Sequence, residues 1–111
     1  MSRFEHIVNI YNAGDLDKVD EWLHEEFLFI KDFSMQNKDE YLEDVKGIFA
    51  NGFKMHDPKL VVENKDIVAL NHLVKDDKGQ AFRVTAVNFL RDGQSWRIAT
   101  SRTKIEATTE Y

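Results

Sequence analysis

A carboxylate at the end of an apolar run is the first group in this sequence able to do chemistry. Asp32 follows the segment Phe27–Ile30, which is rich in β-formers, and it precedes Phe33. An apolar pocket raises the pKa of a carboxyl group, so that it is able to abstract a proton near neutral pH. The alternative is a solvated turn residue, since aspartate is seldom buried.

Two histidines and an arginine are further candidates for polar chemistry. His72 lies among apolar residues of one strand parity, as either a satisfied core or interface imidazole or a catalytic one. His56 precedes Asp57-Pro58, where it is either a loop residue or a polar contributor to a site. Arg83 is able to clamp a carboxylate, although a cross-strand ion pair explains it equally well.

Composition excludes several classes of partner. The chain has 111 residues, which predicts a single domain over 1–111. With 20 acidic and 15 basic side chains the formal net charge is −5, which argues against nucleic-acid and membrane partners. The first residues have no apolar stretch of signal-peptide length, and no run is long enough to span a bilayer. We therefore expect a soluble, cytoplasmic protein.

Motif searches exclude several reaction classes. The sequence has no cysteine, and its 4 histidines form no His-x-His or His-Glu-x-x-His pattern, so neither a metal nor a cofactor is expected. There is no Gly-x-Gly-x-x-Gly, and the serine at Ser95 lacks the second glycine of a nucleophile elbow. Nucleotide-binding and serine-hydrolase functions are therefore not supported.

The helices that must position the candidate groups have clear start signals. Ser2 with Glu5, and Asn37 with Glu40, have the spacing of a capping box, and Asp15 is a further N-cap. These signals predict three helices. Each has apolar residues at helical spacing on one face, which includes Leu23 in the second helix and Tyr41 in the third. Tyr11 lies on the inward face of the first helix and Ile48 on that of the third, where both are also ordinary core positions.

The remaining segments have the period of strands. Asp92-Gly93 between two alternating runs is a strong hairpin signal. The predicted order is α-α-β-α-β-β-β-β, an α+β fold with helices on one face of a curved, mainly antiparallel sheet. The strands are predicted over 27–33, 59–63, 67–75, 80–91 and 94–105.

Three segments resemble the nuclear transport factor 2-like (NTF2-like) superfamily, which includes ketosteroid isomerase, polyketide cyclases and scytalone dehydratase. They are Tyr11-Asn-Ala-Gly-Asp-Leu-Asp17 before an amphipathic helix, Asp66-Ile-Val-Ala69 opening a strand, and Arg83-x-Thr-x-Val with the later hairpin Asp-Gly-x-x-Trp-Arg-Ile98. The resemblance implies a cystatin-like cone, a sheet wrapped around three N-terminal helices, with a pocket at its open end. It also implies a homodimer.

The isomerase activity does not carry over from this resemblance. The matched position of the isomerase tyrosine is Ile7, and that of its buried acid is Val87. The ungapped match to its base falls on Lys31, next to Asp32. Without donors aimed at a developing enolate, the largest catalytic contribution is missing, so steroid isomerase activity is rejected.

The resemblance also implies which residues line the pocket. It places toward the pocket the strand parity that carries Asn71 and Arg83. Asp32 remains the catalytic candidate, and His56 and His72 are possible polar contributors. The expected ligand-pocket residues are Tyr11, Ile48, Asn71, Arg83, Thr85 and Val87.

Two functions remain open at this point. In the first, the pocket binds a small apolar, oxygen-bearing molecule and isomerises, cyclises or dehydrates it, with Asp32 moving a proton while Asn71, Arg83 or a histidine holds an oxygen. In the second, the pocket is vestigial and the domain is a non-catalytic dimeric interaction module. The first requires Asp32, Asn71 and Arg83 to converge on one cavity. The second requires that cavity to be filled by Phe29, Ile48, Phe53 and Phe89.

Overall fold

Side-chain caps set the start of each helix, as the sequence predicts. The Ser2 and Asn37 side chains each accept from a backbone N–H three residues on, while Glu5 and Glu40 reach back to the cap backbone. The Asp15 side chain accepts from the backbone in the same way at the start of the second helix. These bonds satisfy N–H groups that have no partner inside the helix.

The fold is described by a computed structural model for residues 2–76 and 78–105. No helix within these ranges is long and apolar enough to cross a membrane. The helices are α1 (Arg3–Asn12), α2 (Leu16–Trp22) and α3 (Lys38–Ala50), and the strands are β1 (Leu23–Lys31), β2 (Ser34–Asn37), β3 (His56–Glu63), β4 (Ile67–Lys75), β5 (Ala81–Arg91) and β6 (Gln94–Lys104).

The strands form one curved, open, mixed sheet in the order β2-β1-β6-β5-β4-β3. The α+β, cone-like architecture is confirmed. Two details of the strand pairing differ from the prediction. First, β1 pairs in parallel with β6, while the other neighbours are antiparallel. Second, β2 is a short additional strand that returns from β1 through a tight turn at Asp32 and Phe33.

The junction between α2 and β1 also differs from the prediction, which placed Leu23 on the buried face of the second helix. The Leu23 N–H still donates to carbonyls of α2, but its backbone is extended at φ −85° and ψ 130°. The strand therefore starts four residues earlier than predicted. The turn at Asp92-Gly93 connects β5 and β6 as a hairpin, as predicted, and its two residues have positive φ angles of 54° and 77°.

The two faces of the sheet have different environments. The helix-side face packs against the helices through Val68, Leu70 and Ile98, which are at most 5% exposed and belong to one apolar cluster with Ile7 and Val45. The opposite face, called here the far face, carries the alternate residues of each strand. Which residues share a face follows from alternation, but which face meets the helices is decided by tertiary packing.

Candidate functional site

A cavity of about 680 Å³ lies between the helix-side face, α1 and α3. Phe29, Ile48 and Phe53 line this cavity rather than fill it, and Phe89 lies on the far face at 39% exposure. The filling expected for a vestigial pocket is therefore not seen. The other apolar lining residues are Ile7, Val45, Met55, Leu70, Val74, Val84, Ala86 and Ile98.

Two tyrosines, 5% and 9% exposed, supply a polar group to the buried part of the cavity, called here the inner end. Tyr11 from α1 and Tyr41 from α3 both line it, and their hydroxyl oxygens lie 2.7 Å apart. Burial raises the pKa of Tyr11 well above 10.0 and raises the pKa of Tyr41 to about 12, although the hydrogen bond with Tyr11 acts to lower the latter. Both phenols are therefore protonated near neutral pH. One of their two protons forms the mutual bond, and the other has no acceptor among residues 2–76 and 78–105.

His72 supplies a neutral imidazole to the same cavity from β4. It is 5% exposed, and the ring of Phe53 meets it edge-on at 6.0 Å. Burial lowers the pKa of His72; the backbone of Leu73 opposes this shift, whereas the charges of Arg83 and His56 add to it. Its Nδ1 is buried and has no hydrogen-bond partner in the described part of the chain. Such atoms are rare in folded proteins and call for a partner.

The lowered pKa of His72 predicts a pH dependence of stability. The unfolded chain takes up the proton near pH 6.5, before the folded chain does, so the free energy of unfolding falls as pH decreases below that value. We expect urea melts between about pH 7.5 and pH 5.5 to show that the free energy of unfolding falls less steeply with decreasing pH in His72→Gln than in the parent. His6→Gln on α1 serves as the control, because His6 is not among the groups that shift the pKa of His72. An unchanged slope in His72→Gln would contradict this assignment.

Asn88 has a structural part in the cavity wall. It is 2% exposed, its Nδ2 donates to the Val68 carbonyl at 3.3 Å, and its Oδ1 accepts from the Ser95 hydroxyl at 2.9 Å. From the sequence, His72 is a core or interface residue or a polar contributor to the site, and the alternate parity is expected at the pocket. The parity of His72 and Asn88 instead faces the cavity, since this side of β4 and β5 packs toward the helices.

Charged and polar side chains surround the outer part of the cavity and are called here the rim. Asp32 lies there, exposed, in the turn after β1, with a positive φ of 46°. Aspartate tolerates this backbone region better than most residues, which explains its place in the turn. Gln36 on β2 donates through Nε2 to Asp44 on α3 at 2.7 Å. The rim residues are Lys31, Asp32, Gln36, Glu43, Asp44 and Arg102.

The predicted site residues do not all meet. Tyr11, Asp32, Ile48 and His72 line the cavity, whereas His56 lies exposed at the start of β3. The residues expected from the alternate parity, namely Asn71, Arg83, Thr85 and Val87, lie on the far face and not at the cavity.

Arg83 and Asn71 have partners of their own on the far face. The Arg83 guanidinium donates to Asn71 Oδ1 at 2.6 Å and to Asp57 Oδ2 at 3.4 Å. This is the cross-strand arrangement that the sequence analysis gives as the alternative to a carboxylate clamp. The convergence of Asp32, Asn71 and Arg83 on one cavity is therefore not present.

Sequence analysis missed Tyr41 and Gln36 as site residues. Tyr41 was expected only as part of the apolar face of the third helix, and its pairing with Tyr11 joins residues 30 positions apart. Gln36 belongs to a strand of four residues whose last residue is a helix cap, so no period-two signal marks it. A polar residue three positions after an exposed turn is the only local signal, and it is weak.

Comparison with known proteins identifies the fold. No protein-family model and no curated protein matches the sequence. A proposed polyketide cyclase from Sinorhizobium meliloti is 13% identical, with a TM-score of 0.75 over 91% of this chain and 95% of that one. An uncharacterised cystatin-fold protein from Novosphingobium aromaticivorans is 17% identical, with a TM-score of 0.71 over 92% and 99%. An NTF2-like protein of unknown function from Cytophaga hutchinsonii is 15% identical, with a TM-score of 0.67 over 89% and 85%.

Proposed function

We propose that this chain, which has the NTF2-like fold, binds a small, largely apolar, oxygen-bearing molecule in the cavity. The observation that carries the proposal is an open volume of about 680 Å³ with largely apolar walls and one phenolic proton that has no acceptor among the described residues. The inner end of the cavity holds no charge, because the tyrosines are protonated and His72 is neutral. Burying an unpaired ion there is costly, which favours a neutral ligand.

The chemistry that we propose for this site is proton transfer on a bound carbonyl compound, as in isomerisation, cyclisation or dehydration. A carbonyl oxygen that accepts the free phenolic proton becomes polarised, which eases removal of a proton from the adjacent carbon. Asp32 at the rim is the proposed proton acceptor. The similarity to a proposed polyketide cyclase is compatible with this reaction class, although at 13% identity it bears on the fold.

Removing the phenolic hydroxyls tests the proposal, because the variants differ in the number of hydroxyl protons left to bind the ligand. Tyr11→Phe or Tyr41→Phe alone leaves one hydroxyl with one proton, which is still free to reach the ligand, so affinity for a carbonyl ligand changes only a few-fold. The double variant has no phenolic donor, and we expect it to lose about tenfold in affinity. Calorimetry with a naphthaldehyde compared with naphthalene measures this effect. Equal loss for both compounds, or no loss in the double variant, would contradict the role of the pair.

A second candidate function, the dimeric interaction module, is favoured by an apolar row on the far face. Registered residues of all six strands form it, and its two ends are exposed, with Val62 at 42% and Met35 at 64%. A second copy is the occupant that we propose, because the same row on both chains makes an isologous contact. The row is Met35, Ile30, Ala99, Val87, Ala69 and Val62.

A further inference from the structure

Gln36 carries a buried polar atom that no described residue satisfies. It lines the cavity from β2, where it is paired in register with Phe29 of β1. Its Oε1 is buried and has no hydrogen-bond partner in residues 2–76 and 78–105, while its Nε2 donates to Asp44 Oδ2. Leaving a buried acceptor unpaired costs about 1–3 kcal/mol. A partner for this oxygen is therefore missing from the part of the chain that the structure describes.

Asp44 fixes which end of the Gln36 amide is left unpaired. The two ends of an amide look alike and are assigned from their partners. An ionised carboxylate only accepts hydrogen bonds, so the NH₂ end must face Asp44 at 2.7 Å. The carbonyl oxygen then has to face away from Asp44. The phenol pair has a proton to donate to a ligand, whereas this oxygen requires a hydrogen-bond donor.

We infer that the ligand presents an O–H or N–H group to Gln36 Oε1, and that Asp44 sets this preference by orienting the amide. The inference rests on the proposed binding function and adds a second polar end to the ligand. Tyr11 and Tyr41 offer a proton at the inner end, and Gln36 offers an acceptor at the rim. The ligand class is therefore a hydroxylated carbonyl compound, or its amino counterpart, with an apolar body between the two polar ends.

One aromatic ring of the cavity wall adjoins residues of both polar ends. Phe29 is registered with Gln36, and its ring centroid is 4.8 Å from that of Tyr41. A flat, unsaturated ligand stacks on such a ring with additional stabilisation. We therefore choose as probes a hydroxynaphthaldehyde whose two oxygens lie at opposite ends, and its methyl ether.

The test compares the affinities of these two probes by calorimetry. Both carry the aldehyde acceptor, but only the hydroxyl compound has a donor for Gln36. We expect the parent protein to bind the hydroxyl compound about tenfold more tightly than the methyl ether. In Gln36→Met, which keeps the side-chain length without polar atoms, we expect the ratio to fall to about one.

Asp44→Asn gives the sharper comparison. The amide at position 44 in this variant is able to accept or donate a hydrogen bond. The Gln36 amide is therefore free to turn and to present its own NH₂ group to the ether oxygen. We expect the ratio to fall below that of the parent through tighter binding of the methyl ether. Glu43→Gln is the matched control, because Glu43 also lines the rim and its change removes the same charge without touching Gln36. It is expected to keep the parental ratio.

Three outcomes separate this inference from the function on which it rests. Equal binding of both probes by the parent overturns the inference and leaves cavity binding intact. A parental ratio retained in Gln36→Met also overturns it, because the size of the methyl group then explains the preference. Failure of both probes and of naphthalene to bind at millimolar concentration overturns the proposed function itself.

Discussion

Ala86→Phe is expected to abolish small-molecule binding while the fold is retained. Ala86 is a partly buried residue of β5, its side chain lies on the helix-side face, and it lines the cavity beside Leu70, its partner in register. A phenyl ring at this position occupies the open volume instead of displacing packed atoms. We expect the affinity for the hydroxynaphthaldehyde to fall by about a hundredfold or more in calorimetry.

Two control variants make this result specific. Thr85→Phe places the same ring on the far face one residue away, and we expect it to bind as the parent does. Asp32→Asn leaves the cavity walls intact. We expect its affinity for the same ligand to stay within a few-fold of the parent's, because Asp32 is proposed to accept a proton and not to hold the ligand. Unimpaired binding by a folded Ala86→Phe would show that the ligand lies elsewhere on the protein.

Val87→Lys is expected to convert the proposed dimer into a monomer. Val87 lies near the middle of the apolar row on the far face, between Ala69 and Ala99 in register. In an isologous contact each copy brings the new charge to the same small region, where the two ammonium groups repel each other and lose water. Sedimentation equilibrium at micromolar concentration is expected to give twice 13.0 kDa for the parent and 13.0 kDa for the variant.

The matched control for this change is Thr103→Lys. Thr103 is exposed on the same face but lies outside the row, opposite Arg83. We expect it to sediment as the parent does. A parent mass of 13.0 kDa at all concentrations would remove the dimer and with it the interaction-module function.

Sequence reasoning succeeded where the signal is local. The pair Ser2 and Glu5, the cap at Asn37, and the turn at Asp92-Gly93 each depend on residues a few positions apart, and all three are present in the structure. Pro58 falls in β3, which is an edge strand, as its missing N–H requires. The NTF2-like fold was recognised from such segments and is confirmed by the structural comparisons.

The candidate site was less predictable because its geometry depends on long-range packing. Alternation correctly grouped Arg83 with Thr85 and Val87, but it carries no information on which side the helices cover. The parallel pairing of β1 with β6 joins segments about 70 residues apart. The hydrogen bond between Tyr11 and Tyr41, and that between Gln36 and Asp44, likewise arise only when α3 is seated against α1 and β2.

A methyl-detected NMR titration of the parent protein with the hydroxynaphthaldehyde shows whether the ligand enters the cavity. We expect saturable shifts confined to methyl groups that line the cavity, such as those of Ile7, Ile48 and Leu70. The methyl groups of Val62 and Val87 on the far face are predicted to stay unchanged. Shifts centred on the far face, or no saturable shift at millimolar ligand, would contradict a binding function for this cavity.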